Sequence, residues 1–400
     1  MLTYILLVLA IYAYLFNPVF SILPGVDTLM FLYPLVFLLL RDDYRKDFRQ
    51  YRSILLLWFL LLIFILLKTL NGGDQTYLYG WIGYLIETIL ITFCLSKIIV
   101  EKGIDFVRLL LITSSIAATI SCLCLFIPAF DSIIRTIQIE YTEISAVKTF
   151  RGFGLAQGLN FEFGVSQGII FGIGLFNIKK NRWYILFIPF VFLSILINAR
   201  TGFVIVILSV ILYVIKNKNI IIPVVSVVLL AIAPVLLERY MPEETYMWVE
   251  EFFLQLEDSI TGSDKAQFNT GETLNEMLIW PKDLMSWIFG TGQSLFRVKS
   301  GDHSDVGYIN QLAYGGLVYL FMLLWLSYDI MKRSKTGIPL LLFVFIILTS
   351  LIANIKGTVF GNNGGIFKTI AIFSLCIYQT RLYNMRHRDI NRSKTIQTEL

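Results

Sequence analysis

The apolar positions of this chain fall in long runs, separated by short polar ones, from Leu2 to Thr380. A bilayer core about 30 Å thick takes roughly 20 apolar residues per helix. On that measure the pattern predicts spans over residues 2–22, 28–40, 53–69, 81–98, 107–128, 163–177, 184–198, 202–216, 219–237, 306–328, 338–355 and 365–380. The runs 184–198 and 202–216 read either as two spans or as one bent, re-entrant unit around Asn198-Ala199-Arg200-Thr201-Gly202. The first run has no basic flank and no small-residue cleavage site, so it is expected to be a retained span and not a signal peptide. Two polar intervals, 128–162 and 238–305, are too long for turns. In the second, Tyr246, Val249, Phe252, Phe253 and Leu256 have the spacing of an amphipathic helix over Glu243–Leu256. A second helix starts at Thr270-Gly271-Glu272-Thr273 and breaks before Pro281, and a third, Asp283–Phe289, ends at Gly290. This interval is either a small helical cap on the outer face or, in its first part, an interfacial helix that only anchors the loop. The expected fold is all-α: one transmembrane domain over residues 1–400, a polytopic membrane helical bundle of about twelve spans. A helical outer loop, 238–305, joins spans nine and ten, and a basic cytoplasmic tail occupies 381–400.

Composition overrides what length alone implies. Four hundred residues would suggest two or three globular domains. Yet 56% are hydrophobic and 15% charged, with a mean hydropathy of +0.72, against roughly 25% charged in a soluble domain. Cys94, Cys122, Cys124 and Cys376 all lie in apolar runs, which favours small core residues over a disulfide framework or a zinc cluster. Charge sets the orientation. The loops around Arg41–Arg52, Lys97–Arg108, Lys179–Arg182, Lys216–Lys218 and Lys332–Lys335, with the tail, collect 21 of the 33 Lys and Arg. Of the 28 Asp and Glu, 19 fall on the other side. The positive-inside bias then places the basic loops and both termini in the cytoplasm.

Charge is costly at membrane depth, so ionisable groups in or beside spans are functional candidates. Arg200 sits at the outer end between spans seven and eight, against the charge rule. Its planar fork of donors suits bidentate phosphate binding; the competing reading is an arginine snorkelling to the lipid interface. Arg151 opens Arg151-Gly152-Phe153-Gly154-Leu155-Ala156-Gln157-Gly158 ahead of span six, where glycines let backbone approach a ligand. Arg135 and Lys148 upstream add positive potential. Late in the outer loop, Arg297 and Lys299 precede His303, one of only two histidines. Asp302 and Asp305 beside it make His303 a candidate general base near neutral pH, against an ordinary solvated loop histidine. Glu87, inside span four, is read as the partner of a buried cation, as part of a polar cavity or as a proton relay. The chain has no P-loop, no Gly-x-Ser-x-Gly elbow, no His-Glu-x-x-His and no outer-loop Asp-x-Asp. No metal, cofactor or nucleic acid is expected, and any bond formed must use an already activated, membrane-borne donor.

These residues resemble the Wzy-type O-antigen or oligosaccharide repeat-unit polymerases and the related O-antigen ligases. Four elements carry the resemblance, over roughly residues 145–325: Arg151-Gly-x-Gly154 before a span; Asn198-Ala199-Arg200-Thr201-Gly202 between spans; the long late outer loop; and Phe289-Gly290-Thr291-Gly292, then His303-Ser304-Asp305-Val306-Gly307-Tyr308, leading into a span with Gly315-Gly316. The resemblance implies a metal-independent glycosyltransferase with a membrane-embedded C-type fold, in a bacterial cytoplasmic (inner) membrane. Its substrate would be undecaprenyl-diphosphate-linked glycan, its surroundings membrane lipid, and its protein partner a chain-length regulator. On that reading Arg200 and Arg151 stabilise the leaving diphosphate, and His303 or Asp305 deprotonates the acceptor hydroxyl. Arg297, Lys299, Asp305, Tyr308 and Arg135 contribute to substrate binding. The sequence departs from the family pattern at Trp280, which has no arginine just ahead of it. Residues 238–305 also hold thirteen Asp and Glu against five Lys and Arg, so a few placed cations would have to bind the phosphates. The same site would serve a ligase that transfers finished glycan to another acceptor. A lipid-linked oligosaccharide flippase is the rival of a different class; it should show related halves, and no such repeat is visible.

Overall fold

The computed structural model describes residues 1–23, 26–138, 154–156, 161–198, 200–218, 238–239, 242–262, 270–296 and 303–399. Among these residues the regular structure is helical, with no strand beyond the isolated bridges Val19–Asp27 and Phe20–Gln138. Helix α1 (Leu2–Phe16) stops short of the expected 2–22 because Asn17 turns left-handed, φ 40°, and its Oδ1 accepts the Leu29 N–H at 3.0 Å. A 3₁₀ helix, Thr28–Leu40, follows. Its 13 residues reach about 26 Å at the 3₁₀ rise, where an α-helix would give about 20 Å. That is how so short an apolar run covers so much length. Next come α2 (Asp42–Phe48) and α3 (Arg52–Leu70). Then α4 (Thr76–Tyr84), a π-helical stretch (Leu85–Ile91) and α5 (Thr92–Glu101) form one continuous helix. Helix α6 (Phe106–Phe126) yields to the amphipathic α7 (Pro128–Ile137), with proline in its favoured first position.

The rest of the bundle comprises α8 (Phe161–Asn177), α9 (Ile188–Asn198), α10 (Arg200–Asn217), α14 (Gly307–Met331), α15 (Leu340–Lys356) and α16 (Gly365–Glu399). The late polar interval holds α11 (Glu243–Thr261), α12 (Thr270–Glu276) and α13 (Leu284–Phe289). These match the expected three helices, the first running five residues further than the pattern predicts. One expectation is corrected. Arg200 is not in a loop: it is the first residue of α10. Helix α16 also continues through the basic tail to Glu399. The expected span 219–237 lies outside the described residues.

Among the described residues, four continuous helices are long and apolar enough to cross a membrane: Asp42–Leu70, Thr76–Glu101, Phe106–Phe126 and Gly307–Ser334. Shorter apolar helices accompany them over Leu2–Phe16, Thr28–Leu40, Arg182–Asn198, Thr201–Asn217 and Leu340–Lys356. Helix α3 shows why water does not suit the outside of this bundle. It buries Ile54, Leu61 and Ile65, yet leaves Leu56, Phe59, Leu60, Ile63 and Leu67 exposed. A helix apolar on both faces, one of them outward, belongs in lipid.

Inside, α8 and α10 pack closely and in parallel. A side chain at Gly168 would meet the Gly202 carbonyl at 2.9 Å, one at Gly202 would meet the Gly164 carbonyl at 2.5 Å, and one at Gly172 would collide with Phe345. Glycines spaced by four residues let the backbones approach in this way. The alignment persists to the far ends, where Phe176 meets Tyr213 edge-on and Lys216 lies over the Phe176 ring. So α10 runs the length of α8.

Contacts between connecting segments sort into two ends. At the basic end, Asp47 binds Lys97 and Arg386, and buried Asp329 binds Lys332, Arg333 and Ser53. At the opposite end, the 71–76 turn meets 290–293, Ser21 meets Ile137, and Glu162 meets the 357–365 turn.

Candidate functional site at the opposite end of the bundle

The expected Phe289-Gly290-Thr291-Gly292 and Gly315-Gly316 motifs are two halves of one contact. Asp283 caps α13, accepting the Ser286 N–H at 2.9 Å, and its hydrogen bonds from Ser286 hold the carboxyl below the usual carboxylate range. Gly290 ends the helix at φ 69°. Helix α14 is broken at Gly316, φ 67°, ψ −165°, which leaves carbonyls of the preceding turn without helical donors. Thr291 N–H then donates to the Ala313 carbonyl at 2.7 Å and Gly292 N–H to the Tyr314 carbonyl at 2.8 Å. A membrane helix tolerates such a break where neighbouring groups take over the freed carbonyls. On the other flank Asp74 N–H donates to the Gly292 carbonyl and Lys68 Nζ to the Gly290 carbonyl, both at 2.8 Å. Residues 290–292 are thereby clasped between α3 and α14.

His303 and Asp305 come together: Nε2 and Oδ1 are 3.1 Å apart, with both side chains about two-fifths exposed. Between them Ser304 is buried. Its N–H donates to the Leu295 carbonyl at 3.0 Å, its hydroxyl to the Met277 carbonyl at 2.7 Å, and its carbonyl accepts the Asn310 side chain at 2.6 Å. The buried serine thus fixes the segment that presents the histidine and the aspartate. Tyr308 donates its hydroxyl to the Leu351 carbonyl at 3.0 Å, joining α14 to α15. Arg135 pairs with Asp131 one turn back on α7. Arg200 is placed by its backbone, two residues from the Gly202–Gly164 contact. Arg151, Arg297 and Lys299 lie outside the described residues.

What the sequence reading missed is the turn 357–365, which organises this whole end. Gln311 on α14 donates to the Phe360 carbonyl at 2.8 Å. Asn354 donates to Gln311 at 3.0 Å, while its Oδ1 accepts the Val359 N–H at 2.9 Å and the Phe360 N–H at 3.3 Å. A side chain at Gly307 would meet the Gly357 carbonyl at 2.6 Å, and one at Gly357 would collide with the Phe161 ring. Beyond it, Glu162 accepts Asn362 Nδ2 at 3.2 Å and Gly365 N–H at 3.4 Å. The turn therefore touches the start of α14, four residues after His303, and the start of α8, whose Gly164 packs on α10 just past Arg200.

Below the turn lies an ion pair. Lys368 Nζ is 2.8 Å from Glu87 Oε2, with the lysine side chain 4% exposed. Tyr33 donates to Glu87 Oε1 at 3.0 Å. Glu87 sits in the π-helical stretch, a local widening that often marks a functional place. Of the three readings of Glu87, the structure supports the paired one. Lys368 carried a usable signal, a lysine four residues into an apolar run, as did the two asparagines and four glycines within 357–365. Among the described residues no three His, Cys, Asp or Glu side chains gather as a metal site. No family model matches the sequence, and comparison with curated proteins gives no match.

Proposed function

We propose that this chain is a membrane glycosyltransferase that joins lipid-diphosphate-linked oligosaccharide repeat units into a surface polysaccharide on the outer face of a bacterial cytoplasmic membrane. One observation carries the reading: the 357–365 turn links the His303–Asp305 segment, through Gly307, to Glu162 and the α8–α10 contact beside Arg200. The His303–Asp305 segment and the Arg200 end of α10 thus lie at one end of one bundle, as a shared active site requires. The alternation of basic and acidic connecting segments supports twelve spans with both termini in the cytoplasm, and the family resemblance implies a C-type glycosyltransferase bundle. On this reading the growing glycan leaves its lipid diphosphate for a hydroxyl of the incoming unit. Arg200 and Arg151 stabilise the charge on the leaving diphosphate, with Arg297 and Lys299 adding positive potential, whereas the charge of Arg135 is offset by Asp131. The His303–Asp305 pair receives the hydroxyl proton.

Reconstitution with lipid-linked repeat units tests this directly: elongation supports it, and movement across the bilayer without elongation replaces it with a flippase. The flippase deserves that arm because the buried Lys368–Glu87 pair is the kind of intramembrane charge a transporter uses. Arg200→Ala and Arg151→Ala, each made separately, are expected to leave the protein in the membrane and abolish long glycan chains. Wild-type chain-length ladders in both would remove their roles. Full activity in His303→Ala would remove the base assignment while leaving the rest intact.

A further inference from the structure

Glu162 is seated with unusual care for a group at the end of a membrane helix. Its carboxylate occupies a notch at Gly364, where any side chain would collide with Oε1. The two oxygens accept one hydrogen bond each, from Asn362 and Gly365. The two oxygens of a carboxyl group carry about four lone-pair positions, so about two stay open. Asn362 uses its amide N–H groups on Glu162 and on the Thr358 carbonyl, at 2.9 Å, which leaves its Oδ1 as a further acceptor. One turn along α8, the Ser166 hydroxyl is buried, has no hydrogen-bond partner among the described residues, and faces Gly365. Glu162, Asn362 and Asn363 are themselves half-buried, so the recess opens to the outside at this end.

The unused groups are mostly acceptors, and a recess of acceptors calls for a ligand that donates. Charge narrows the class. A diphosphate would be repelled by Glu162, which makes no ion pair among the described residues. A cationic ligand would find a single carboxylate here, because Glu87 is already taken by Lys368 at 2.8 Å. Neutral hydroxyl groups fit both constraints. We propose that Glu162, Asn362 and Ser166 form a recess that binds sugar hydroxyls of the lipid-linked unit, apart from the cations that take its diphosphate. This rests on the lipid-linked glycan reading above and assigns its sugar to a place.

The test compares two ligands on the purified full-length protein in nanodiscs: lipid-linked repeat units extracted from the source cells, and undecaprenyl diphosphate alone. Wild type is expected to bind the glycan-bearing lipid more tightly. Glu162→Gln should weaken that binding about tenfold or more, the scale of a hydrogen bond to a charged group, and leave the bare lipid diphosphate within about twofold. Ser166→Ala, a smaller change in a buried site, should weaken only the glycan-bearing lipid, by about threefold. Variants that keep the wild-type preference, or that lose both ligands equally, overturn the recess while leaving the functional reading in place. A wild type with no preference for the glycan-bearing lipid overturns both. If Glu162→Gln does not accumulate in the membrane, Ser166→Ala decides.

Discussion

Asp47 binds three elements through one carboxylate. Its Oδ2 accepts Lys97 at 2.8 Å and Arg386 Nη1 at 3.0 Å, while Oδ1 accepts Arg386 Nη2, so α2, α5 and the far part of α16 meet on it. The aspartate and the lysine are almost fully buried, at 2% and 5% exposure. Burial raises the Asp47 pKa, but the hydrogen bonds from Arg386 and Lys97 outweigh it and bring the group below its ordinary value. A carboxyl depressed on folding contributes stability that is complete above the unfolded pKa and lost as pH falls through the folded one. Asp47→Asn takes from buried Lys97 its nearest carboxylate and leaves it Glu101 at 3.6 Å and Asp43 at 3.7 Å, so it should cost about 2 kcal/mol at neutral pH, the scale of a hydrogen bond between charged groups. Measured by unfolding in detergent, the gap to wild type should stay constant from about pH 8 to about pH 5 and narrow below about pH 4. A gap that widened on acidification would contradict the pairing. The same scale shows where reading the sequence stops. Glu87 is conspicuous because a charge inside an apolar run is costly, but its partner Lys368 lies 281 positions away, and nothing local joins them.

Among the elements, α13 was legible to within one residue because its signals are local: Asp283 ahead of it and Gly290 after it are cap residues wherever they occur. The long 3₁₀ helix was not, since apolar content says nothing about rise per residue. Nor was the partner of the Gly164, Gly168 and Gly172 row, because a stripe of small residues announces close approach without naming the helix that approaches. The clasp around Gly290 gives an element-scale prediction. At φ 69°, an added side chain is strained and also collides with the backbone of Tyr314 and Gly315, which no rotamer change relieves. Gly262 has the same φ of 69° with nothing within 4 Å, so alanine there meets only the left-handed strain, about 1 kcal/mol. Gly290→Ala should therefore release residues 284–296 from α14 and speed their cleavage in limited proteolysis, while Gly262→Ala leaves that cleavage rate unchanged. Equal rates in the two variants would show that the clasp does not hold the late segment.

At the scale of the molecule, the charge pattern and the contacts agree on which segments share an end. The hydrogen bond from Asp74 N–H to the Gly292 carbonyl is decisive here, because it joins an early turn to the late polar interval. Helix α10 descends beside α8 to Lys216 and Asn217, at the end that also holds the basic segments 179–182. By Gly290 the chain is back beside Asp74. On the positive-inside rule, the early turn and the late interval would then share the outer face, and the basic segments would take the cytoplasmic one. Single cysteines can test this against a quiet background, since Cys94, Cys124 and Cys376 are buried and Cys122 is half-buried. Asn71, Glu276 and Lys335 are exposed and lie in the early turn, the late interval and a basic segment. In intact cells stripped of any outer membrane, a membrane-impermeant maleimide should label Asn71→Cys and Glu276→Cys. Lys335→Cys should react only after the cytoplasmic membrane is opened. If Glu276→Cys follows Lys335→Cys instead, the late interval and its histidine face the cytoplasm, and an outer-face glycan site becomes untenable.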